Sequence, residues 1–201
     1  MTLEMRILLI FCFLVALPIV SGGCAGRVAV PDLPPIVETR RIEELNLAIL
    51  SLRADVDSGE ARRAATIAIR YSQQLAREYE ITDSAIVHNL KVNLGLRPRG
   101  LCVDWTADLL ARLAQERFRS LDLHWAIANY ESAFRLEHST VVISARGEAM
   151  QRGLVLDPWR HSGWLYWAPA SNDPGYPWKP QAEVHALKEL VENDVRNART
   201  R

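Results

Sequence analysis

Cysteine is scarce in this chain, with three residues among 201, and the paired-thiol and histidine patterns of zinc sites are missing. A zinc site made from Cys102, His124 and His138 would lack a second thiol. A glycine-rich phosphate loop and a nucleotide-binding fingerprint are also missing, so we expect no cofactor and no metal. Excess charge of either sign is absent, since 24 basic residues balance 24 acidic ones. This balance argues against nucleic acid as a partner.

An apolar stretch at the N-terminus predicts a signal peptide over residues 1–23. Glu4 and Arg6 lie in a short polar start, and residues 7–20 are almost wholly apolar. Because about 20 residues are needed to span a bilayer, this stretch has the length of a secretory signal instead. The alternative is a buried helix of the mature fold, but Pro18 would break such a helix near its end.

Small residues precede the second cysteine, in the segment Ser21-Gly22-Gly23-Cys24. It resembles the lipobox of bacterial lipoproteins, and the resemblance implies that Cys24 is acylated and becomes the first mature residue. We therefore expect an exported cell-envelope protein, anchored by lipid to the periplasmic or extracytoplasmic face of a membrane. An aliphatic residue is more common where Ser21 stands, so ordinary cleavage is the alternative. Residues 24–36 contain three prolines and are predicted to form an extended tether.

The remaining cysteine, Cys102, is expected to be unpaired. Cys12 leaves with the predicted leader and Cys24 carries the predicted lipid, so the folded domain retains one thiol. In an oxidising compartment an unpaired thiol is a liability unless it is buried or used. Cys102 is therefore the first candidate for a functional residue, and an inert core cysteine is the alternative.

The hydrophobic pattern predicts an α+β domain over residues 37–201. A period of 3.6 predicts four helices between residues 42 and 116, the last of which begins at Cys102. The period then changes to 2 and predicts a small antiparallel sheet, with strands over residues 121–127, 138–143, 154–156 and 163–167. A last helix is predicted over residues 181–197. Helices followed by such a sheet are typical of the α+β class.

Three residues of this pattern combine into a catalytic arrangement. Cys102 lies where a loop ending in glycine enters a helix, and the free N–H groups there favour a thiolate. His138 begins one strand and Asp157 ends the next. Since neighbouring antiparallel strands bring the start of one beside the end of the other, the imidazole and the carboxylate are expected to meet. A base beside a thiol and an acid that orients the base form an activated nucleophile.

The same residues carry a resemblance to a known family. The segments concerned are Gly100-Leu101-Cys102-Val103-Asp104-Trp105, Glu137-His138-Ser139-Thr140-Val141-Val142 and Leu154-Val155-Leu156-Asp157-Pro158-Trp159. They resemble the three motifs of the transglutaminase-like branch of the papain-like fold, in their order and in their gaps of 36 and 19 positions. The resemblance covers residues 95–170 and implies a papain-like core with a Cys-His-Asp triad.

Two features depart from that family or stay open. Ser139 and Thr140 stand where the family often has an aromatic residue after the histidine. For the oxyanion hole, the backbone N–H of Cys102 is one natural donor. The candidates for a second donor are His88, Asn89, Asn93 and Trp105.

The predicted function is acyl transfer by a membrane-anchored thiol enzyme. The thiolate would attack an amide or ester carbonyl, and water or an amine would resolve the thioester, so the chain is either an amide hydrolase or peptidase, or a transamidase. Location in the envelope favours a peptide or peptidoglycan amide as the substrate.

Two alternatives stay open. One is a cell-wall peptidase of the other papain-like branch, in which a second histidine, such as His124 or His161, replaces the aspartate. The other is a non-catalytic envelope lipoprotein that binds a protein or cell-wall partner through an aromatic-lined cleft. The aromatic residues for such a cleft follow Asp157: Trp159, Trp164, Tyr166, Trp167, Tyr176 and Trp178.

Overall fold

The computed structural model describes the backbone of residues 33–199 and the side chains of residues 33–193. The predicted signal peptide, Cys24 and most of the predicted tether lie outside the described residues. The first helix, α1, spans Pro35–Leu50. Residues 35 and 36, which the sequence assigned to the tether, therefore belong to α1, because proline at the first helical position loses no hydrogen bond and has the required φ.

Three more helices precede the sheet: α2 over Ser58–Glu78, α3 over Ala85–Asn93 and α4 over Cys102–Ala114. The start of α2 is fixed by Asp57, whose side chain accepts a hydrogen bond from the backbone N–H of Glu60 at 2.8 Å. The buried apolar faces of α2 and α4 follow the predicted period. In α3, by contrast, Ile86, Val87 and Leu90 are exposed, and His88 and Asn89 are the buried residues. The predicted start of the fourth helix at Cys102 is confirmed.

Five strands form one antiparallel sheet in the order β4-β3-β2-β1-β5. The strands are β1 over Leu121–Ala128, β2 over His138–Ala145, β3 over Leu154–Asp157, β4 over Tyr166–Pro169 and β5 over Lys179–Pro180. A fifth helix, α5, spans Gln181–Arg199. The predicted α+β class is confirmed. The fourth strand lies later than the predicted residues 163–167, because Gly163 belongs to a turn with φ +99°, and the two-residue β5 was not predicted.

The sheet has two differently covered faces. On one face, α1, α2 and α4 bury an aliphatic core that includes Leu45, Leu109, Val141 and Ile143. On the other face, Val142 and Val155 pack against Met150, Ala170 and Trp178, which come from the irregular connections between the strands. Successive residues of a strand point to opposite faces, so neighbouring positions on β2 contribute to different cores.

Within residues 33–193, none of the helices has the length and apolar sequence that crossing a bilayer requires.

Candidate active site

Cys102 is the first residue of α4, and Gly100 makes its position attainable. Gly100 has a φ of +121°, which favours glycine. A Cβ at this position would lie 2.4 Å from Nε2 of His88, so a side chain has no room there. Because Cys102 opens the helix, its N–H has no acceptor within the helix and lies at the positive end of the helix dipole.

Hydrogen bonds from three neighbouring side chains hold the loop before Cys102. His88 donates from Nε2 to the carbonyl oxygen of Arg99 at 2.9 Å, and Trp105 donates from Nε1 to that of Gly100 at 3.1 Å. The carboxylate of Asp104 accepts the N–H groups of Gly100 and the following residue, at 2.9 and 3.0 Å. His88 and Trp105 therefore use their ring N–H groups to support the loop, and they are removed as candidate oxyanion donors.

His138 and Asp157 meet at one end of the sheet. β2 and β3 run antiparallel with Val141 opposite Leu156, so the start of β2 lies beside the end of β3. Nε2 of His138 lies 2.6 Å from Oδ2 of Asp157, and both side chains are almost completely buried, at 1% and 0% exposure. A carboxylate only accepts hydrogen bonds, so Nε2 carries the proton of this contact and Nδ1 is the ring nitrogen left for another partner.

The thiol of Cys102 lies at the same end of the sheet. Its Sγ is 3.9 Å from the carbonyl oxygen of Glu137, the residue before β2. Nδ1 of His138 is buried without a hydrogen-bond partner of good geometry among the described residues. Burial lowers the pKa of His138, but the charge and hydrogen bond of Asp157, together with the nearby Cys102 thiol, outweigh it and raise the pKa to about 9. The imidazole is therefore protonated at neutral pH.

Asp157 has a second, largely buried partner, Arg160. The Nε of Arg160 lies 3.1 Å from Oδ2 of Asp157, and its backbone N–H donates to Oδ1 at 3.2 Å. The two Nη atoms of Arg160 donate to both oxygens of Asp173 at 2.9 and 2.8 Å. Burial raises the pKa of Asp173, but hydrogen bonds from Arg160 and Trp178 more than offset this and lower it. Asp157 thus faces two cationic groups, and one of them is fixed by a second carboxylate.

Aromatic rings enclose this charged network. The ring of His138 lies 4.5 Å from that of Trp159 and 5.3 Å from that of Tyr176, measured between centroids. The guanidinium of Arg160 stacks between Tyr166 and Tyr176, at 4.0 and 4.3 Å from their centroids. Such packing excludes water, so the charges act on one another through a medium of low polarity.

A cleft of about 400 Å³ opens beside Cys102. Its walls come from the start of α4, from α3, from β1 and β2, and from the start of α5. The lining residues are Asn89, Asn93, Leu101, Cys102, Val103, Trp125, Ile127, Leu136, Glu137, Ser139, Gln181 and His185. The thiol is therefore accessible from this cleft, whereas His138 lies on the buried side of the thiol.

Asn89 has a free donor in the wall of this cleft. Its Oδ1 accepts a hydrogen bond from Nε1 of Trp159 at 2.9 Å. Because an indole N–H can only donate, this contact fixes which end of the amide is the oxygen. Nδ2 then has no partner among the described residues, and Asn89 remains a candidate oxyanion donor.

The two histidines that could have replaced Asp157, His124 and His161, make other contacts. His124 is half-buried, contacts the hydroxyl of Ser144 at 2.8 Å, and has its pKa lowered by burial. The ring of His161 is exposed and lies against Tyr166. Neither histidine takes the position that Asp157 holds beside the imidazole. No three His, Cys, Asp or Glu side chains of the described part of the chain are grouped so that they could hold a metal ion.

The aromatic residues after Asp157 do not line the cleft. Trp159, Tyr176 and Trp178 pack around His138. Trp164 and Trp167 instead stack on the guanidinium of Arg41, a residue of α1. In the cleft beside Cys102, Trp125 is the single Trp, Tyr or Phe among the described lining residues. Trp164, Tyr166 and Trp167 instead line a separate pocket of about 220 Å³ with Arg41, and an aromatic-lined binding cleft stays a prediction for that pocket.

Sequence reasoning missed Arg160 and Asp173. Arg160 follows Asp157 by three positions, and this spacing was a local signal that a carboxylate and a guanidinium could pair. Asp173 had no such signal, since it lies in an irregular, proline-rich stretch and reaches Arg160 through the fold alone.

No family model, curated protein or solved structure matches this chain.

Proposed function

We propose that this chain is a thiol acyl-transfer enzyme with a Cys102-His138-Asp157 triad, built on a papain-like core of the transglutaminase type. The proposal includes export and lipid anchoring at Cys24, for which the N-terminal sequence is the support. The observation that carries the proposal is the buried His138. Its Nε2 is held by Asp157 at 2.6 Å, and its unpartnered Nδ1 lies near the thiol at the start of α4.

The electrostatics of the site support a reactive thiol. A group with a pKa of about 9 is a cation at neutral pH, and a cation beside a thiol favours the thiolate. The start of α4 adds the positive end of a helix dipole, which acts in the same direction. Asp157 keeps the imidazole in one orientation, and Arg160 keeps Asp157 in place.

The first half of the reaction is acylation. The Cys102 thiolate attacks the carbonyl carbon of an amide, and the π electrons of the carbonyl move to oxygen. When this intermediate collapses, the carbon–nitrogen bond breaks, and the imidazolium of His138 gives its Nδ1 proton to the leaving amine. A thioester and a neutral imidazole result.

The second half is deacylation. Neutral His138 takes a proton from water or from an acceptor amine, which attacks the thioester carbonyl. The carbon–sulfur bond breaks, and the thiolate and imidazolium are restored. Water gives hydrolysis and an amine gives transamidation, with the same residues in the same roles. The N–H of Cys102 and Nδ2 of Asn89 are the proposed donors to the oxygen that becomes negative in both halves.

Alkylation of Cys102 by iodoacetamide across pH tests this proposal. The labelled peptide is identified by mass, so that Cys12 and Cys24 do not contribute. We expect Cys102 to react well below pH 8.5, the ordinary thiol value, because a neighbouring cation and the positive end of a helix dipole both favour the thiolate. In His138→Gln the profile should move up toward pH 8.5, and the rate at pH 6.5 should fall about 10- to 100-fold. Cys102→Ser is the control for labelling elsewhere.

The opposite result is equally clear. If wild-type Cys102 reacts only as pH approaches 8.5, and His138→Gln leaves the profile unchanged, the thiol is not activated. The enzymatic proposal would then be wrong. Circular dichroism of both proteins at each pH shows whether the comparison is made between folded chains.

A further inference from the structure

Several exposed apolar side chains lie on the elements that line the cleft or on the connections next to them. α3 alone carries several, among them Ile86 at 61% and Leu90 at 57% exposure. The loop after α3, the first turn of α4 and the connection between β1 and β2 add others. We call this set the apolar rim; its members are Ile86, Val87, Leu90, Leu94, Leu96, Val103, Phe134 and Leu136.

The geometry of α3 places part of the apolar rim directly against the cleft. Asn89 and Asn93 line the cleft. Ile86 and Leu90 stand three positions before them, and residues three apart are neighbours on a helix surface. The polar wall of the cleft and the apolar surface beside it are therefore two adjoining stripes of one helix.

Two members of the apolar rim also line the cleft. Val103 and Leu136 belong both to the lining and to the exposed residues, at 43% and 52% exposure. Phe134 is two positions before Leu136 and is fully exposed. Contiguous exposed apolar surface next to a site marks a region that binds something.

The charges of the cleft restrict what can bind. Among the described residues that line it, none is Lys or Arg. Its one carboxylate, Glu137, is paired with Lys188 at 2.6 Å. The remaining polar lining consists of amides, a hydroxyl and the imidazole of His185. A ligand with carboxylates next to the reacting carbonyl would find no Lys or Arg among the described residues that line the cleft.

We infer that the site acts on an amide within an apolar segment of a polypeptide, and not on an acid-bearing cell-wall peptide. This inference rests on the proposed function and selects its substrate class. An extended polypeptide offers backbone amides to Asn89, Asn93 and Ser139, and apolar side chains to the apolar rim. A lipid surface offers no such amides to a polar-walled cleft, and it carries no amide carbonyl to Cys102.

The test compares two peptidyl chloromethyl ketones on the full chain, where the Cys102 sulfur displaces chloride from the reagent. One reagent carries two leucines next to the reactive carbon, and the other carries two serines. Each rate is divided by the rate with iodoacetamide at the same pH. We expect the leucine reagent to react about tenfold faster, since such apolar contacts discriminate by about this factor or more.

Variants locate the preference. In Ile86→Ser/Leu90→Ser the ratio of the two rates should fall to about one, while iodoacetamide labelling is unchanged. Leu47→Ser is the matched control, because Leu47 is 56% exposed on α1 and does not line the cleft. Its ratio should remain that of the wild type.

Each other outcome overturns the inference, in a different way. If the leucine and serine reagents react with the wild type at equal rates, or if their ratio is unchanged in the rim variant, the polypeptide substrate is rejected. Normal iodoacetamide labelling in the same experiment would still support the thiol enzyme. An inert thiol at neutral pH rejects both proposals. If the ratio is unchanged while the wild type, but not the rim variant, sediments with phosphatidylcholine vesicles, the rim would bind lipid. If the ratio is unchanged and the wild type, but not the rim variant, forms dimers in light scattering, the rim would bind a second copy of the chain.

Discussion

The two faces of the sheet are built on different principles. The face under α1, α2 and α4 is aliphatic, with Leu109, Val141 and Ile143 fully buried. Near one end of the other face lie a buried imidazole, two buried carboxylates and a guanidinium, in the order His138, Asp157, Arg160 and Asp173. Both faces are well packed, but one of them holds charges that water would solvate better.

This difference separates residues that hold the fold from residues that hold the site. Burial of aliphatic side chains stabilises the fold without directional requirements. Buried ion pairs commonly contribute little net stability, because desolvation offsets the attraction between the charges. A buried charged network is therefore best explained by what it positions, which here is the ring of His138.

The largest expected effect comes from breaking the network at Arg160. Arg160→Gln leaves Asp157 and Asp173 buried without their shared cation, and we expect a loss of about 3–5 kcal/mol in the free energy of unfolding, measured in urea. The pH profile of Cys102 alkylation should shift as well, because Asp157 then holds His138 less firmly. Arg160→Lys restores the charge without the two-pronged contact and should recover part of both.

An outcome in which Arg160→Gln changes stability but leaves the alkylation profile intact would contradict the positioning role. The network would then serve the fold alone.

A cavity on the aliphatic face should lower the stability of the fold without changing the reactivity of Cys102. Leu109→Ala removes a fully buried side chain between α4 and the sheet, and we expect a loss of about 3 kcal/mol in the free energy of unfolding. In native buffer, the iodoacetamide profile of Cys102 should coincide with that of the wild type. A displaced profile would mean that the two faces of the sheet are coupled.

The smallest expected effect is a pH dependence of the free energy of unfolding, caused by the titration of His138. Its pKa rises from an ordinary 6.5 to about 9 on folding, so the stability it contributes is complete below pH 6.5 and is lost as pH rises through 9. Between pH 6 and pH 8 the loss is about 2 kcal/mol. Urea unfolding at both values measures it, with His138→Gln as the reference that removes this titration. Equal pH dependence in both proteins would mean that His138 does not titrate between these limits.

Parts of the site could be predicted because each depends on a local pattern. The helix start at Cys102, the strand start at His138 and the strand end at Asp157 all follow from changes in hydrophobic period. That His138 and Asp157 lie within hydrogen-bonding distance follows from antiparallel pairing, once the two strands are recognised as neighbours.

Other parts could not be predicted for a physical reason. The bond between Arg160 and Asp173 spans an irregular segment, whose path depends on packing against β2 and β3 and not on any period. His88 and Trp105 looked equal to Asn89 as oxyanion donors, and only their hydrogen bonds to the loop distinguish them. The same limit applies to the cleft, which is formed by five separate parts of the chain.

By itself, the sequence determined the α+β class, the order of the elements and the ends at which Cys102, His138 and Asp157 lie, because hydrophobic period and turn residues act over a few neighbouring positions. Tertiary structure alone decided that the charges of Arg160 and Asp173 are buried together, that Asn89 presents a free N–H, and that the mouth of the cleft is apolar. Those properties depend on which surfaces meet, and distant residues meet only when the chain has folded.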